Sequence, residues 1–279
     1  KILISQESLN ATLATVDRAV STKNTIPVLS GVYLSARNGN LTIRATDMEL
    51  AIEAVTPCEV ISEGEIVLPA RYFTDLIRRI PYGNIELSVD YNNYVATLRW
   101  GRSQYAIHGF SADQFPALPD VDGASAFTVS QSLLRDLLRE TTFAAGHDES
   151  KPWLTGVLFK LRDNTLTGTA TDGVRIAYAE SAAENTLSHS FSVIIPSRSL
   201  NEVTRLLTGD EESKVNVNVT ANQIFFDLGN TLLYQSRPWD ETLPSATRAM
   251  MDVLRRHGLQ LDEERFCKQF EDRLSSYYQ

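Results

Sequence analysis

A stretch of the chain is written twice. Residues 27–47 read PVLSGVYLSARNGNLTIRATD and residues 152–172 read PWLTGVLFKLRDNTLTGTATD. At a constant offset of 125, ten of these 21 positions are identical: Pro27/Pro152, Leu29/Leu154, Gly31/Gly156, Val32/Val157, Arg37/Arg162, Leu41/Leu166, Thr42/Thr167, Ala45/Ala170, Thr46/Thr171 and Asp47/Asp172. Average residue usage would give about one or two matches by chance. The match runs on in both directions. Ser5-Gln6 pairs with Ser130-Gln131, and Leu9, Leu13 and Ala19 pair with Leu134, Leu138 and Ala144. Pro69, Arg71 and Arg78 then pair with Pro196, Arg198 and Arg205 at an offset of 127, and Gly101 with Gly229 at 128. A period of this length means a duplicated folding unit, so whatever one copy folds into, the other must fold into as well.

Two units follow, 1–119 and 120–244, joined near Phe115-Pro116-Ala117-Leu118-Pro119, where two prolines disfavour regular structure. Each opens with a Ser-capped helix, Ser5 to Ala19 and Ser130 to Ala145, with leucines at helical spacing. Alternating strands come next: Val28–Arg37 and Asn40–Ala45 around the turn Asn38-Gly39, and Leu154–Leu161 and Thr165–Ala170 around Asp163-Asn164. A short helix starts beside Pro69 or Pro196, where a missing amide proton is tolerated. It exposes Arg71, Arg78 and Arg79 in the first unit and Arg198 and Arg205 in the second. Closing strands predicted at Ile85–Val89, Tyr94–Trp100 and Gln104–Gly109 correspond to Val215–Val219, Gln223–Leu228 and Thr231–Gln235. The class is α+β, two tandem copies of one unit with two helices packed on antiparallel sheet.

Composition excludes several functions. No apolar run reaches the roughly 18 residues of a membrane-spanning helix. The start, Lys1-Ile2-Leu3-Ile4-Ser5, carries no signal-peptide core, and the initiator Met is expected to be removed or absent. Cys58 and Cys267 can form neither a disulfide framework nor a four-ligand zinc site, which fits a reducing cytosol. His108, His147, His189 and His257 are scattered, none with a second His or Cys at metal spacing. Phosphate-binding, nucleophile-elbow and zincin motifs are missing. The repeated Thr-Asp reads as a strand end followed by an Asx turn. Neither a catalytic residue, a metal nor a cofactor is expected. A net charge of −9 argues against a generic nucleic-acid binder.

The chain resembles the bacterial DNA polymerase III beta sliding clamp family over about residues 1–236. The resemblance is carried by Asp17-Arg18-Ala19-Val20-Ser21, Thr25-Ile26-Pro27-Val28-Leu29, Ala45-Thr46-Asp47-Met48-Glu49, Leu68-Pro69-Ala70-Arg71 and Gly101-Arg102-Ser103. Further matches are Ala112-Asp113-Gln114-Phe115-Pro116, Leu154-Thr155-Gly156-Val157-Leu158 and Ala170-Thr171-Asp172-Gly173-Val174-Arg175. It implies the DNA-clamp fold and a non-catalytic processivity factor: a head-to-tail homodimer of three-domain subunits around duplex DNA, cytoplasmic and nucleoid-associated. It implies partners that arrive through short linear peptides: DNA polymerase, clamp loader and repair proteins. A ring needs only mobile phosphate contacts on its inner wall, so total charge is the wrong quantity. On the helices expected to line it, Arg18, Lys23, Arg71, Arg78, Arg79, Arg135, Arg139, Arg198 and Arg205 face Glu7, Asp17, Asp75, Asp136, Glu140 and Glu202, nine basic against six acidic residues.

By the resemblance, Lys23 and Arg71 stand at DNA-contact positions, and His147 and Trp153 at or beside others, Trp153 suited to stacking on a base. The partner-peptide pocket matches Leu154, Thr171, Gly173, Val174, Arg175 and Ile176, the rest of it expected from a third domain. Val174 stands where the family commonly has His, a more apolar rim.

After residue 244 only 35 residues remain against a repeat near 125, so a third copy does not fit. Residues 245–279 read as a helical hairpin: Ala249, Met250, Val253 and Leu254 share one face, His257-Gly258 stops the helix, and Asp262 caps a second through Phe266, Phe270 and Leu274. The expectation is a clamp missing its third domain and ending in a foreign tail. A second resemblance covers 223–279, where Ile224-Phe225-Phe226-Asp227-Leu228-Gly229-Asn230-Thr231-Leu232 looks like the opening of a haloacid-dehalogenase-like hydrolase. There Asp227 would be the nucleophile, aided by magnesium, although Gly229 replaces the motif's second Asp. The competing functions are therefore a truncated or fused hydrolase and a module that binds partners without encircling DNA. On residues 223–236 the two resemblances conflict, one needing a turn at Gly229-Asn230 and the other a strand, loop and helix.

Overall fold

The computed structural model describes residues 1–21, 26–117, 127–148, 150–185, 191–208, 210, 212–220 and 223–236. Packing divides it into two compact units, the first built on Lys1–Asp122 with Asp227–Tyr234, the second on Gly123–Phe226 and resumed at Gln235. The predicted C-terminal helical hairpin lies outside the described residues, as do His189, His257 and Cys267.

Unit 1 runs β1 (Ile2–Ser5), α1 (Gln6–Val16), β2 (Gly31–Arg37), β3 (Asn40–Thr46), β4 (Leu50–Pro57), β5 (Glu59–Val60), β6 (Gly64–Pro69), α2 (Ala70–Arg79), β7 (Asn84–Asp90), β8 (Val95–Trp100) and β9 (Ser103–His108). Then β10 (Phe127–Ser130), α3 (Gln131–Thr141), β11 (Gly156–Arg162), β12 (Thr165–Thr171), β13 (Ile176–Ala182), β14 (Glu184–Asn185), β15 (Phe191–Pro196), α4 (Ser197–Leu206), β16 (Lys214–Val219), β17 (Gln223–Asp227) and β18 (Thr231–Ser236) repeat that order element by element. Strand orders repeat too. Unit 1 has β5-β1-β7-β8-β9 and β4-β3-β2-β6, and unit 2 has β14-β10-β16-β17 and β13-β12-β11-β15. Few helices on antiparallel sheet is the α+β class read from the sequence.

Local chemistry explains why both copies close the same way. Ser5 and Ser130 cap their helices, accepting from the backbone N–H of Ser8 at 3.1 Å and of Leu133 at 3.3 Å. The next residue, Gln6 or Gln131, is buried and ties the first helix of its unit to the end of the second. Gln6 Nε2 donates to the Ile77 carbonyl at 2.9 Å, and Gln131 Oε1 accepts from both the backbone N–H and the hydroxyl of Thr208 at 2.8 Å. Leucines at helical spacing face inward: Leu9 and Leu13, then Leu134, Leu137 and Leu138, are all buried. The repeated Gly31 and Gly156 pack against the neighbouring strand. A Cβ on Gly156 would stand 2.6 Å from the Ile195 carbonyl oxygen, and one on Gly31 would stand 2.9 Å from that of Leu68.

α3 lies on β12 and β13, over a floor of small residues: Ala177, Ala179 and Ser181 point inward along β13, while Ile176, Tyr178 and Glu180 point outward. Gly168 of β12 belongs to that floor, since a Cβ there would meet Leu137 Cδ2 at 2.8 Å.

Two boundaries differ from the sequence reading. β2 starts at Gly31 and β11 at Gly156, because Pro27–Ser30 and Pro152–Leu154 form 3-10 turns with proline at the start. The Phe115-Pro116 stretch, expected as a linker, packs on unit 1: Phe115 is buried in a cluster with Val28, Leu29 and Val67.

Candidate functional site

The basic residues of the first candidate site stand where amphipathicity puts them. α2 buries Ala70, Phe73, Thr74 and Ile77, which leaves Arg71, Arg78 and Arg79 in water. α4 buries Ser199, Leu200 and Val203 and exposes Arg198 and Arg205. Arg139 of α3 is exposed as well. Neighbouring acids temper part of this charge. Arg78 lies 3.7 Å from Asp75 and Arg205 is hydrogen-bonded to Glu202, each three residues away on its own helix. Burial pushes the Asp17 carboxyl above its ordinary value, with Arg78 pulling it back down and Asp75 pushing it up. Arg71, Arg79 and Arg139 have no acidic partner among the described residues.

Arg135 is different. It is half-buried, Nη1 donates to the Thr208 carbonyl at 3.3 Å, and its Nε is buried without a partner among the described residues. It braces α3 against the end of α4, a task its charge does not reveal in sequence. Lys23 lies outside the described residues. His147 is exposed, and Trp153 is half-buried in the 3-10 turn Pro152–Leu154. The loop between them is drawn in at both ends: the Gly146 N–H donates to the Leu154 carbonyl at 2.7 Å, and Lys151 Nζ lies 4.0 Å from Asp148.

The second candidate site is built on the repeated Thr-Asp turn, which has the same geometry in both units. In unit 2, Thr171 Oγ1 donates to the Arg175 carbonyl at 2.7 Å and accepts from the Gly173 N–H at 3.1 Å. Asp172 Oδ1 accepts from the Val174 and Arg175 N–H groups at 2.9 and 3.0 Å. In unit 1, Thr46 bonds Leu50 and Met48, and Asp47 bonds Glu49 and Leu50, in the same pattern. The turn residue is left-handed in each, Gly173 at φ 91° and Met48 at φ 80°. Thr-Asp is therefore an Asx turn, and in unit 2 it presents a rim. Val174 is 80% exposed, Ile176 39%, and Arg175 is clamped by Asp172 at 2.9 Å. The Arg175 guanidinium lies over the ring of Phe143, 5.7 Å from its centroid. Phe143 is itself 58% exposed and was not among the residues singled out from the sequence. An unburied aromatic next to a helix end was the only signal that could have found it. Leu154 is half-buried and Thr171 buried, whereas Val174, Arg175 and Ile176 are exposed.

Hydrogen bonds from the Arg175 and Val174 backbone, with the Arg175 charge, hold the Asp172 carboxyl below its ordinary value of 3.8. A carboxyl depressed in the folded state contributes stability that is present above its unfolded value and is lost as the pH falls through the lowered one. The rim therefore keeps its shape from neutral pH down to about 5. NMR shifts of the Val174 and Arg175 amides should stay fixed over that range and move only in stronger acid, and Asp172→Asn should shift both at neutral pH.

Asp227 does not open onto a helix. Residues 223–236 are strand, turn and strand, with Gly229 at φ 92° and the Leu228 N–H donating to the Thr231 carbonyl at 2.9 Å. Asp227 Oδ1 accepts from the Gly229 N–H at 2.8 Å, a turn-capping role. The geometry resolves the conflict between the two resemblances in favour of the hairpin.

Known proteins agree with this architecture. The model of the DNA polymerase III beta subunit N-terminal domain matches residues 1–119, and that of its central domain matches 128–245. The chain is 31% identical over 255 residues to the beta sliding clamp of Bacillus subtilis (strain 168), covering 88% of this chain and 67% of the relative. It is 37% identical over 229 residues to the beta sliding clamp of Halalkalibacterium halodurans, covering 78% and 60%. The crystal structure of the DNA polymerase sliding clamp from Bacillus subtilis superposes with a TM-score of 0.81 at 30% identity, covering 84% of this chain and 63% of that one. The chain thus spans between 60% and 67% of the length of these relatives. With two family domains matched in order over two copies of one fold, this chain belongs to the DNA polymerase III beta subunit family.

Proposed function

We propose that the chain serves as a sliding-clamp-type processivity factor: it tethers replication and repair enzymes to duplex DNA without reading sequence and performs no chemistry of its own. Residues 1–119 and 120–244 act as two clamp domains. The observation that supports this most is α2, which turns Arg71, Arg78 and Arg79 to water in a chain whose net charge is −9. Locally placed cations on helix faces contact phosphates loosely, and loose contact lets a tether move. Arg139, Arg198, Arg205, His147 and Trp153 offer such contacts on the second unit, and Lys23 joins those of the first by family resemblance. Tethering raises the effective concentration of a bound enzyme at the DNA, and no catalytic group is needed.

Partners dock by linear peptides at Leu154, Thr171, Gly173, Val174, Arg175 and Ile176. A head-to-tail homodimer in the bacterial cytoplasm, associated with the nucleoid, is the matching assembly. The test is retention on nicked circular DNA against the same DNA linearised, with mass measured by sedimentation. Retention lost on linearisation supports encirclement. Equal behaviour on both, with peptide binding intact, points to the second reading, a partner-binding module, which the exposed Val174 rim favours. Twelve-residue peptides tiled across a bacterial DNA polymerase III alpha subunit test the groove itself. Val174→Asp should weaken the best binder at least tenfold, and an unchanged affinity would remove the pocket from this surface.

A further inference from the structure

The duplication lets the partner groove of unit 2 be compared with its own second copy. At the offset of 125, Leu154, Arg175 and Ile176 correspond to Leu29, Leu50 and Ala51. The first three are half-buried or exposed, whereas Leu29, Leu50 and Ala51 are at most 2% exposed. The strand side is thus covered in unit 1 and open in unit 2, while the tip of the turn is exposed in both, at Met48 and Glu49 as at Val174.

The chain itself does the closing. Leu29 packs with Val28, Val67 and Phe115, and the Phe115 ring lies 5.5 Å from that of Tyr33. Ahead of it, Phe110 and Val67 exchange two backbone hydrogen bonds, 2.9 and 3.2 Å, so the segment is added to β6 by a single antiparallel bridge. Along β4 the Val55 N–H donates to the Asn230 carbonyl at 2.9 Å, and Tyr234 is buried. A backbone bridge at Phe110 and an apolar anchor at Phe115, joined by a 3-10 turn at Ala112–Gln114, hold the segment on the sheet edge much as a docked peptide is held. Residues 110–116 are, in form, a ligand attached to the protein.

We propose that unit 1 carries a copy of the partner groove plugged at its Leu29 end by Phe115 of the chain's own 110–116 segment, and that removing this ring opens a second site for short peptides with an aromatic anchor. This rests on the reading of the unit 2 surface as a partner groove. Phe115 covers the Leu29 end of the unit 1 copy.

The test uses the full chain and a fluorescein-labelled nonapeptide of residues 109–117, Gly-Phe-Ser-Ala-Asp-Gln-Phe-Pro-Ala. Val174→Asp in every arm weakens the unit 2 groove, so fluorescence anisotropy reads unit 1. Phe115→Ala in that background should bind the peptide at least tenfold more tightly than the background alone, while Phe115→Leu, which keeps the plug apolar and bulky, should not. Phe115→Val, which removes less volume, replaces the alanine variant if circular dichroism shows that the latter is unfolded. A folded Phe115→Ala or Phe115→Val chain that binds no more tightly than the background overturns the proposal, as does equal binding by Phe115→Leu. Failure of the unit 2 reading shows elsewhere, as tiled polymerase peptides that bind wild type and Val174→Asp alike.

Discussion

Replacing Arg71 and Arg79 together by alanine is expected to weaken DNA binding about 50-fold at 0.1 M salt and to flatten its salt dependence by nearly two units of slope. The magnitude follows from counterion release. Each phosphate contact contributes about 0.9 to the slope of log K against log salt, and that slope is also about 0.9 decades of affinity at 0.1 M. These two arginines are the right pair because both are exposed and neither has an acidic partner among the described residues. Arg78 is a poorer choice, since Asp75 already neutralises part of it at 3.7 Å. The substitution removes no buried contact of α2, whose packing face is Ala70, Phe73, Thr74 and Ile77, so thermal stability should stay within about 0.5 kcal/mol. Fluorescence anisotropy on a 30-base-pair duplex, titrated at several salt concentrations, provides the slope. A variant that binds more weakly with an unchanged slope would mean that these residues act through something other than phosphate, and an unchanged affinity would take α2 off the DNA surface.

Gly156→Val should be the most damaging single change in unit 2, lowering stability by about 3 kcal/mol. The added Cβ falls 2.6 Å from the Ile195 carbonyl oxygen and 2.7 Å from Ile194 Cγ2. The carbonyl belongs to the β11–β15 ladder, in which Gly156 is paired with Pro196 and Val157 with Ile195, so it cannot retreat without opening the ladder. Gly39→Val is the informative control. Gly39 has φ 76° and no neighbour within 4 Å, so its cost is backbone strain alone, about 1–2 kcal/mol. Urea unfolding curves separate the two. Equal midpoints for both variants would mean that close approach at Gly156 is not what keeps that position glycine.

Much of this fold could be read before the structure because its signals are periodic. Strand alternation and the leucines of α1 and α3 are local patterns, and each occurs twice, so every assignment had an independent check at the offset of 125. Strand starts were misplaced at Val28 and Leu154 because both carry strand-forming side chains while Pro27 and Pro152 impose a 3-10 turn on the backbone. The basic candidates were legible as charge, but charge alone does not separate Arg71, open to solvent, from Arg135, which braces Thr208. Phe115 was read as linker because proline flanks it. Its place against Leu29 and Tyr33 is a contact across some 80 positions that no local pattern encodes. Phe143 under Arg175 escaped for the same reason.

The two faces of β13 divide their labour in a way that bears on how such a protein can change. Inward, Ala177, Ala179 and Ser181 set the distance at which α3 can lie, and enlarging any of them would lift a helix. Outward, Ile176 and Tyr178 are exposed, and the Tyr178 hydroxyl donates to Glu180 on the same face. The inward residues are held by folding, whereas the outward ones are not. Substitution can therefore rewrite the outward alphabet of this strand while the scaffold behind it stays unchanged.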